Sequence, residues 1–230
     1  MRRHGQAQRM RRPIPLMIVA LAGSTFFATG CALTHKRAPA TQELSLQYSP
    51  PAMKGVRTVP ATIKVRRFSG LSPFDGTAMY LRRSGYEMES FNYERWVTSP
   101  PNLVTDLLYR DLAASHAFRD VFPYLSTEQT RFELEGTVVN FLMLEDGGSW
   151  RASLAINVSL IDSRTRQGGR RVVLQRRFAA ERRLQGDSPE QYAGGMSDAM
   201  QSVAADIIHA THDAASTRVE ESEKAPATAH

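Results

Sequence analysis

The chain has 230 residues, 42% of them hydrophobic, and a formal net charge of +6, which fits one domain with extensions. The charge is unevenly placed: residues 1–30 carry five of the 29 basic residues (Arg2, Arg3, Arg9, Arg11 and Arg12) and none of the 23 acidic ones. The remainder holds 24 basic against 23 acidic residues, a net of +1, so the electrostatic case for a nucleic-acid partner falls away.

The first thirty residues read as a targeting segment. A basic stretch ends at Arg12, an apolar run follows from Ile14 to Ala28, and the small residues Thr29 and Gly30 precede Cys31. A basic start, an apolar middle and small residues before a cut define a secretory signal. The run is shorter than the ~20 apolar residues a membrane-spanning helix requires. Cys31 is the single cysteine, which excludes an internal disulfide and leaves its placement to be explained. Ala28-Thr29-Gly30-Cys31 resembles a bacterial lipobox, in which the thiol takes a diacylglycerol and the signal is cut just before the cysteine; Ala28 stands where Leu is more usual. The competing reading is ordinary cleavage, for instance after Ala38-Pro39-Ala40, with Cys31 discarded. Lipidation is the expectation adopted, because that second site lies well past the apolar run. Ala32 follows the cysteine where an Asp resembles an inner-membrane retention signal, and so points to the outer membrane.

Residues 32–58, rich in Pro, Thr, Ala and Gln, read as a tether. Ile63 and Val65 alternate with Lys64 and Arg66, as in a half-buried strand. Ala78–Arg83 and Tyr86–Trp96 read as two extended halves around a Ser84-Gly85 turn. Ser99 is placed to cap a helix that Pro100 opens, with Leu103, Leu107, Leu108 and Leu112 on one face. The helix is expected to end near Ser115–Phe118.

The clearest strand pattern comes next. Phe132, Leu134, Val138, Leu142 and Leu144 share one parity, Asp146-Gly147-Gly148 makes a hairpin turn, and Leu154, Ile156, Val158 and Leu160 alternate with polar residues. Gln167-Gly168-Gly169 makes a second turn, leading to a strand through Val172, Leu174 and Phe178. Three such strands predict an antiparallel meander. Ser188 and Gln191 form a capping-box pattern around Pro189, opening a helix whose apolar stripe is Tyr192, Met196, Met200, Val203 and Ile207. Gly194-Gly195 disfavours that helix unless it lies close on the sheet there. Residues 216–230 read as a disordered tail. The expected fold is α/β, a mixed and mostly antiparallel sheet with a β-meander, covered by two amphipathic helices.

No catalytic motif is found: neither a nucleophile elbow nor a phosphate-binding glycine loop is present. His209 and His212 are three apart on the last helix but lack further ligands, so a solvated helix end is expected and no metal or cofactor. Glu145-Asp146 precedes two glycines and reads as a turn. Arg176-Arg177 and Arg182-Arg183 read as edge charges, with contact to anionic headgroups as the minor alternative. Trp96, with Pro100 and Pro101, divides between core packing and an exposed aromatic at a partner interface.

Tyr80-Leu81-Arg82, Tyr86-Glu87-Met88, Tyr93-Glu94-Arg95-Trp96, Ser99-Pro100-Pro101, Phe118-Arg119-Asp120-Val121, Phe132-Glu133-Leu134-Glu135-Gly136 and the final helix through Ile208 together resemble the ABC-type transport auxiliary lipoprotein family over roughly residues 60–210. The family includes the lipoprotein of the paraquat-inducible system. The resemblance implies an outer-membrane lipoprotein facing the periplasm, beside a mammalian-cell-entry (MCE) type protein and an inner-membrane ABC permease and ATPase, in lipid transport between the membranes. It also implies that some members form homo-oligomeric rings, and it brings no catalytic residues. The expected organisation is a signal peptide over 1–30, a lipidated Cys31 and tether over 31–58, a periplasmic domain over 59–215 and a tail over 216–230. A structural or ring-forming envelope lipoprotein of a secretion or assembly system, unrelated to lipid transport, is the alternative.

Overall fold

A computed structural model describes residues 40–53, 55–83, 85–164 and 169–224. In chain order the elements are β1 (Gln42–Leu44), β2 (Val59–Val65), β3 (Ser69–Gly70), β4 (Ala78–Arg82), β5 (Met88–Trp96), α1 (Pro100–Ser115), β6 (Phe118–Phe122), β7 (Phe132–Asp146), β8 (Ser149–Asp162), β9 (Arg171–Arg183) and α2 (Pro189–Lys224). The strands form one open sheet, mostly antiparallel, with two covering helices, so the mixed α/β fold read from the sequence stands.

β7 is the spine of the sheet. Along one edge it pairs antiparallel with β8 over its whole length, and β8 pairs antiparallel with β9. Along its other edge three shorter strands, β2, β3 and β4, pair parallel to it in succession. β6 continues the sheet beyond β2, and β5 then β1 continue it beyond β4. Gly147 and Gly148 close the β7–β8 hairpin with φ of 57° and 78°, values that favour glycine and suit a tight hairpin.

The meander's alternation holds on β8, but β7 departs from the single parity expected of it. A bulge between Val138 and Asn140 shifts the phase by one residue. Phe141 and Met143 thereby join Phe132, Leu134 and Val138, and the five stand opposite Leu154, Ala152, Asp162, Leu160 and Ile156 of β8 respectively, all of them buried. Leu142, expected with the first group, falls to the other side of the strand. It is buried there too.

α1 begins as expected but is capped differently. Pro100 and Pro101 fill its first two positions, where absent N–H groups leave no orphan donors, and the Ser99 side chain makes no capping bond. The Ser99 carbonyl instead accepts from the Asn102 and Leu103 N–H groups. The helix ends at Ser115, with His116 at φ 52° in the left-handed region.

α2 does open on Ser188, whose hydroxyl accepts from the Gln191 N–H at 3.3 Å. Gly195 lies where the helix touches the sheet: an added Cβ would stand 2.2 Å from Leu184 Cδ2 and 3.2 Å from Ala152 Cβ. Gly194 faces open space, so one glycine of the pair answers the close approach.

Two boundaries read from the sequence need correction. The tail expected from residue 216 is helical to Lys224. Thr211, Ala215 and Val219 are buried at i, i+4 and i+8, continuing the apolar stripe. Arg218 Nε donates to Asp162 Oδ2 at 3.0 Å, and Arg131 Nη2 donates to Ser222 Oγ at 2.9 Å and to the Arg218 carbonyl at 3.3 Å. Asp162 is fully buried, and its carboxylate meets Arg218 at 3.0 Å and Arg131 at 3.8 Å, which fixes the end of α2 to the start of β7. The tether, in turn, gives way to the domain before residue 58. β1 pairs with β5, Leu46 is buried, the Gln47 N–H donates to Ser197 Oγ at 3.0 Å, and Gln201 Nε2 donates to the Ser49 carbonyl at 2.8 Å.

Candidate functional site

Cys31 and the residues before it, Ala28, Thr29 and Gly30, lie outside the described residues. The other proposed site residues, Trp96, Pro100 and Pro101, are in the core. Trp96 is 1% exposed and both prolines are buried. The Trp96 indole meets Phe141 and Tyr192 edge-on, each at 5.2 Å between ring centroids. Pro101 packs so closely on β3 that a Cβ on Gly70 would stand 2.7 Å from its Cγ. Of the two readings, core packing fits this burial: Trp96 joins β5 to β7 and α2, and Pro101 packs α1 against β3. Trp96 Nε1 has no acceptor among the described residues.

The acid–base groups hold the fold together. Tyr48 donates to Asp111 Oδ2 at 2.7 Å, and Arg110 donates to Asp111 Oδ1 at 2.8 Å while its guanidinium lies 4.5 Å from the Tyr48 ring centroid. Burial, then the hydrogen bond to Asp111 and its charge, push the Tyr48 phenol far above its ordinary range. Burial alone does the same to Tyr192, whose hydroxyl donates to the Phe141 carbonyl at 3.1 Å. Both phenols stay neutral and act as donors.

Glu145 and Asp146 sit at the β7–β8 turn as expected. Glu145 Oε1 accepts from the Gly148 N–H at 2.7 Å, and Asp146 pairs with Arg151 at 3.1 Å. His212 has Nε2 2.8 Å from the Arg57 carbonyl and Nδ1 3.0 Å from Asp213, a local tie between α2 and the segment before β2. Among the described residues no three metal-ligating side chains gather. On the polar side of the meander lies an open depression of about 630 Å³, lined by Arg67, Glu135, Asn157, Ser159, Arg177 and neighbours.

Three exposed apolar side chains gather on the β4–β5 hairpin, and Val172 on β9 is another, 54% exposed. Tyr86 is fully exposed, and Met88 and Tyr93 are 41% and 47% exposed. Only the last three residues of β5 pair with β1, so the edge from Met88 to Tyr93 has no partner strand among the described residues. The sequence signal for this surface was the aromatic run itself, which the resemblance drew toward Trp96. Side-chain alternation in β5 does not separate Trp96 from Tyr86, because Tyr86 precedes the strand.

Among the described residues no helix is long and apolar enough to cross a membrane. A long meander covered by two helices makes this an α/β domain. The chain belongs to the ABC-type transport auxiliary lipoprotein component family, whose model matches residues 44–208. That is a family of transport components rather than of enzymes. No curated protein matches the sequence. The fold is similar to that of a Xanthomonas campestris protein from a family designated only as one of unknown function, at 16% identity and a TM-score of 0.64, covering 79% of this chain and 97% of that one. An uncharacterised protein is similar at 15% identity and a TM-score of 0.57, covering 75% and 99%. A hypothetical protein of Chlamydia trachomatis matches at 10% identity and a TM-score of 0.49, covering 69% and 99%.

Proposed function

We propose that this chain is the lipid-anchored auxiliary component of an ABC and MCE-type transporter that moves lipids between the inner and outer membranes, and that it acts by docking or gating. The family match over residues 44–208 carries the reading. Lipid on Cys31 holds the protein at the outer membrane, facing the periplasm, and the residues between Cys31 and β1 give the domain reach. The energy for transport comes from the partner ATPase, since this sequence has no phosphate-binding glycine loop. The domain's part is to recognise the MCE partner, with a homo-oligomeric ring as one form in which it does so.

The test is co-purification of the full-length lipoprotein, extracted in mild detergent, with the MCE protein and the permease–ATPase of its own organism. Recovery of the MCE protein supports the reading. Recovery of a secretion or assembly complex without it favours the structural alternative and overturns lipid transport as the role.

A further inference from the structure

The β4–β5 hairpin lies at one end of the long axis of the domain. β4 runs parallel to β7, with Leu81 opposite Met143 and Arg82 opposite Leu144, so the hairpin loop and the β7–β8 turn share that end. Arg83 bridges the two, its guanidinium 5.2 Å from the Trp150 ring centroid. The C-terminal part of α2 is tied to the other end through Arg218 and Asp162, where Asp162 stands opposite Phe132 at the start of β7.

The chain enters the described structure from the hairpin side. β1 is parallel to β5, with Gln42 opposite Glu94 and Leu44 opposite Trp96. Ala40 and Thr41, the first described residues, therefore lie toward Met88 and the loop. Gln42 Nε2 also donates to Glu190 Oε1 at 3.2 Å, which places it beside the start of α2.

Reach then separates the two ends. The eleven residue-to-residue steps from Cys31 to Gln42 span at most ~37 Å when fully extended. The step back along β5 from Glu94 to Met88 is ~20 Å, so the loop lies within that length with some to spare. The 36 residues of α2 rise through ~54 Å, so its far end lies beyond the reach of a Cys31 that is embedded in a bilayer.

The side chains at the near end suit a bilayer surface. Tyr86 is fully exposed, Met88 is 41% exposed, and Arg82 and Arg83 are exposed beside them. Tyrosine is enriched at the headgroup level, and arginine stems lie along apolar surface while the guanidinium stays in water. Glu87 and Glu89 are exposed there too, and Glu89 lies 3.5 Å from Arg83. The end is thus of mixed charge, and its attraction to lipid comes from amphipathic side chains rather than net charge.

We infer that the tip of the β4–β5 hairpin, led by Tyr86 and Met88, rests in the headgroup region of the bilayer that holds the Cys31 lipid, and so sets the orientation of the domain on the membrane. The inference rests on the anchoring of Cys31. It makes the hairpin a second, weak membrane contact beside the covalent one, with the far end of α2 directed into the aqueous space.

The full-length lipoprotein, reconstituted in phosphatidylcholine vesicles that include a nitroxide-bearing lipid, provides the test. Cys31 is the only cysteine, so an acylated wild-type chain takes up no thiol-reactive dye. Tyr86→Cys and, as the control at the far end of α2, Glu223→Cys are each labelled with an environment-sensitive fluorophore. One dye per chain is expected in each variant, with quenching at position 86 at least about twofold stronger than at 223, as interfacial burial requires. Dye uptake by the wild type would overturn the anchor, and the inference with it. Single labelling with equal quenching at the two positions, or none at either, would overturn the hairpin contact alone; protection of position 86 only when the transporter components are added would assign the hairpin to a protein partner instead.

Discussion

The β7–β8–β9 meander and the β4–β5 hairpin belong to one sheet but use their side chains in different ways. In β8 one face is almost wholly buried, and Leu154, Ile156 and Leu160 lie in register with buried or half-buried partners on both neighbouring strands, while Val158 stands between Gly136 and the exposed Arg176. In β5 only Trp96, at its end, is buried, and Met88 to Ser90 are exposed. The meander is therefore explained by its own core. The hairpin is not: Tyr86 and Met88 stand exposed at its tip, outside the core that the meander fills.

The largest effect is expected where the two regions meet. Trp96→Ala removes the ring that joins β5 to Phe141 and Tyr192. It should cost about 4 kcal/mol, read as a fall in the denaturation midpoint at unchanged slope; a small loss would mean that β5 is attached independently of the meander. Next comes Asp162→Ala, which strands Arg131 and Arg218 and should cost about 3 kcal/mol. Hydrogen exchange should quicken over residues 211–224 more than in β5, and uniform quickening would deny that the carboxylate holds that end of the helix in particular.

A smaller effect is expected from pH. The Tyr48 phenol is raised by burial and by Asp111, so its neutral form is favoured in the folded state. That contribution is complete below the free-phenol value of about 10 and is lost as pH climbs above it. Base titration followed by tyrosinate absorbance and circular dichroism should show unfolding with ionisation. Tyr48→Phe should cost roughly 1 kcal/mol at neutral pH and flatten the alkaline slope; an unchanged slope would contradict this. The smallest effect is expected at the hairpin. Tyr86→Ser with Met88→Ser should change stability by less than about 0.5 kcal/mol, and a larger loss would show that these side chains serve the fold after all.

The meander was legible because its strands are long, its alternation is regular and Gly147-Gly148 marks a turn. The bulge before Asn140 was not, because an added residue in a strand leaves no mark beyond a broken parity, and Phe141, Leu142, Met143 and Leu144 are all apolar. Residues 42–49 read as tether because what orders them is distant in sequence: Trp96 and Asp111, Ser197 and Gln201. The end of α2 was hidden by its polar composition, although Thr211, Ala215 and Val219 keep the helical spacing. Trp96 was legible as important, but burial depends on what stands opposite it, and Phe141 and Tyr192 are 45 and 96 residues further on.

The account turns on whether Cys31 becomes the first residue of the mature protein and carries lipid. Intact-mass and peptide mass spectrometry of the protein extracted from membranes of its native cell tests this most directly. The expected result is an N-terminal peptide that begins at Cys31 and carries the added mass of a diacylglyceryl group and its fatty acids. A mature chain that begins after residue 31, or one with a free thiol at Cys31, would contradict it.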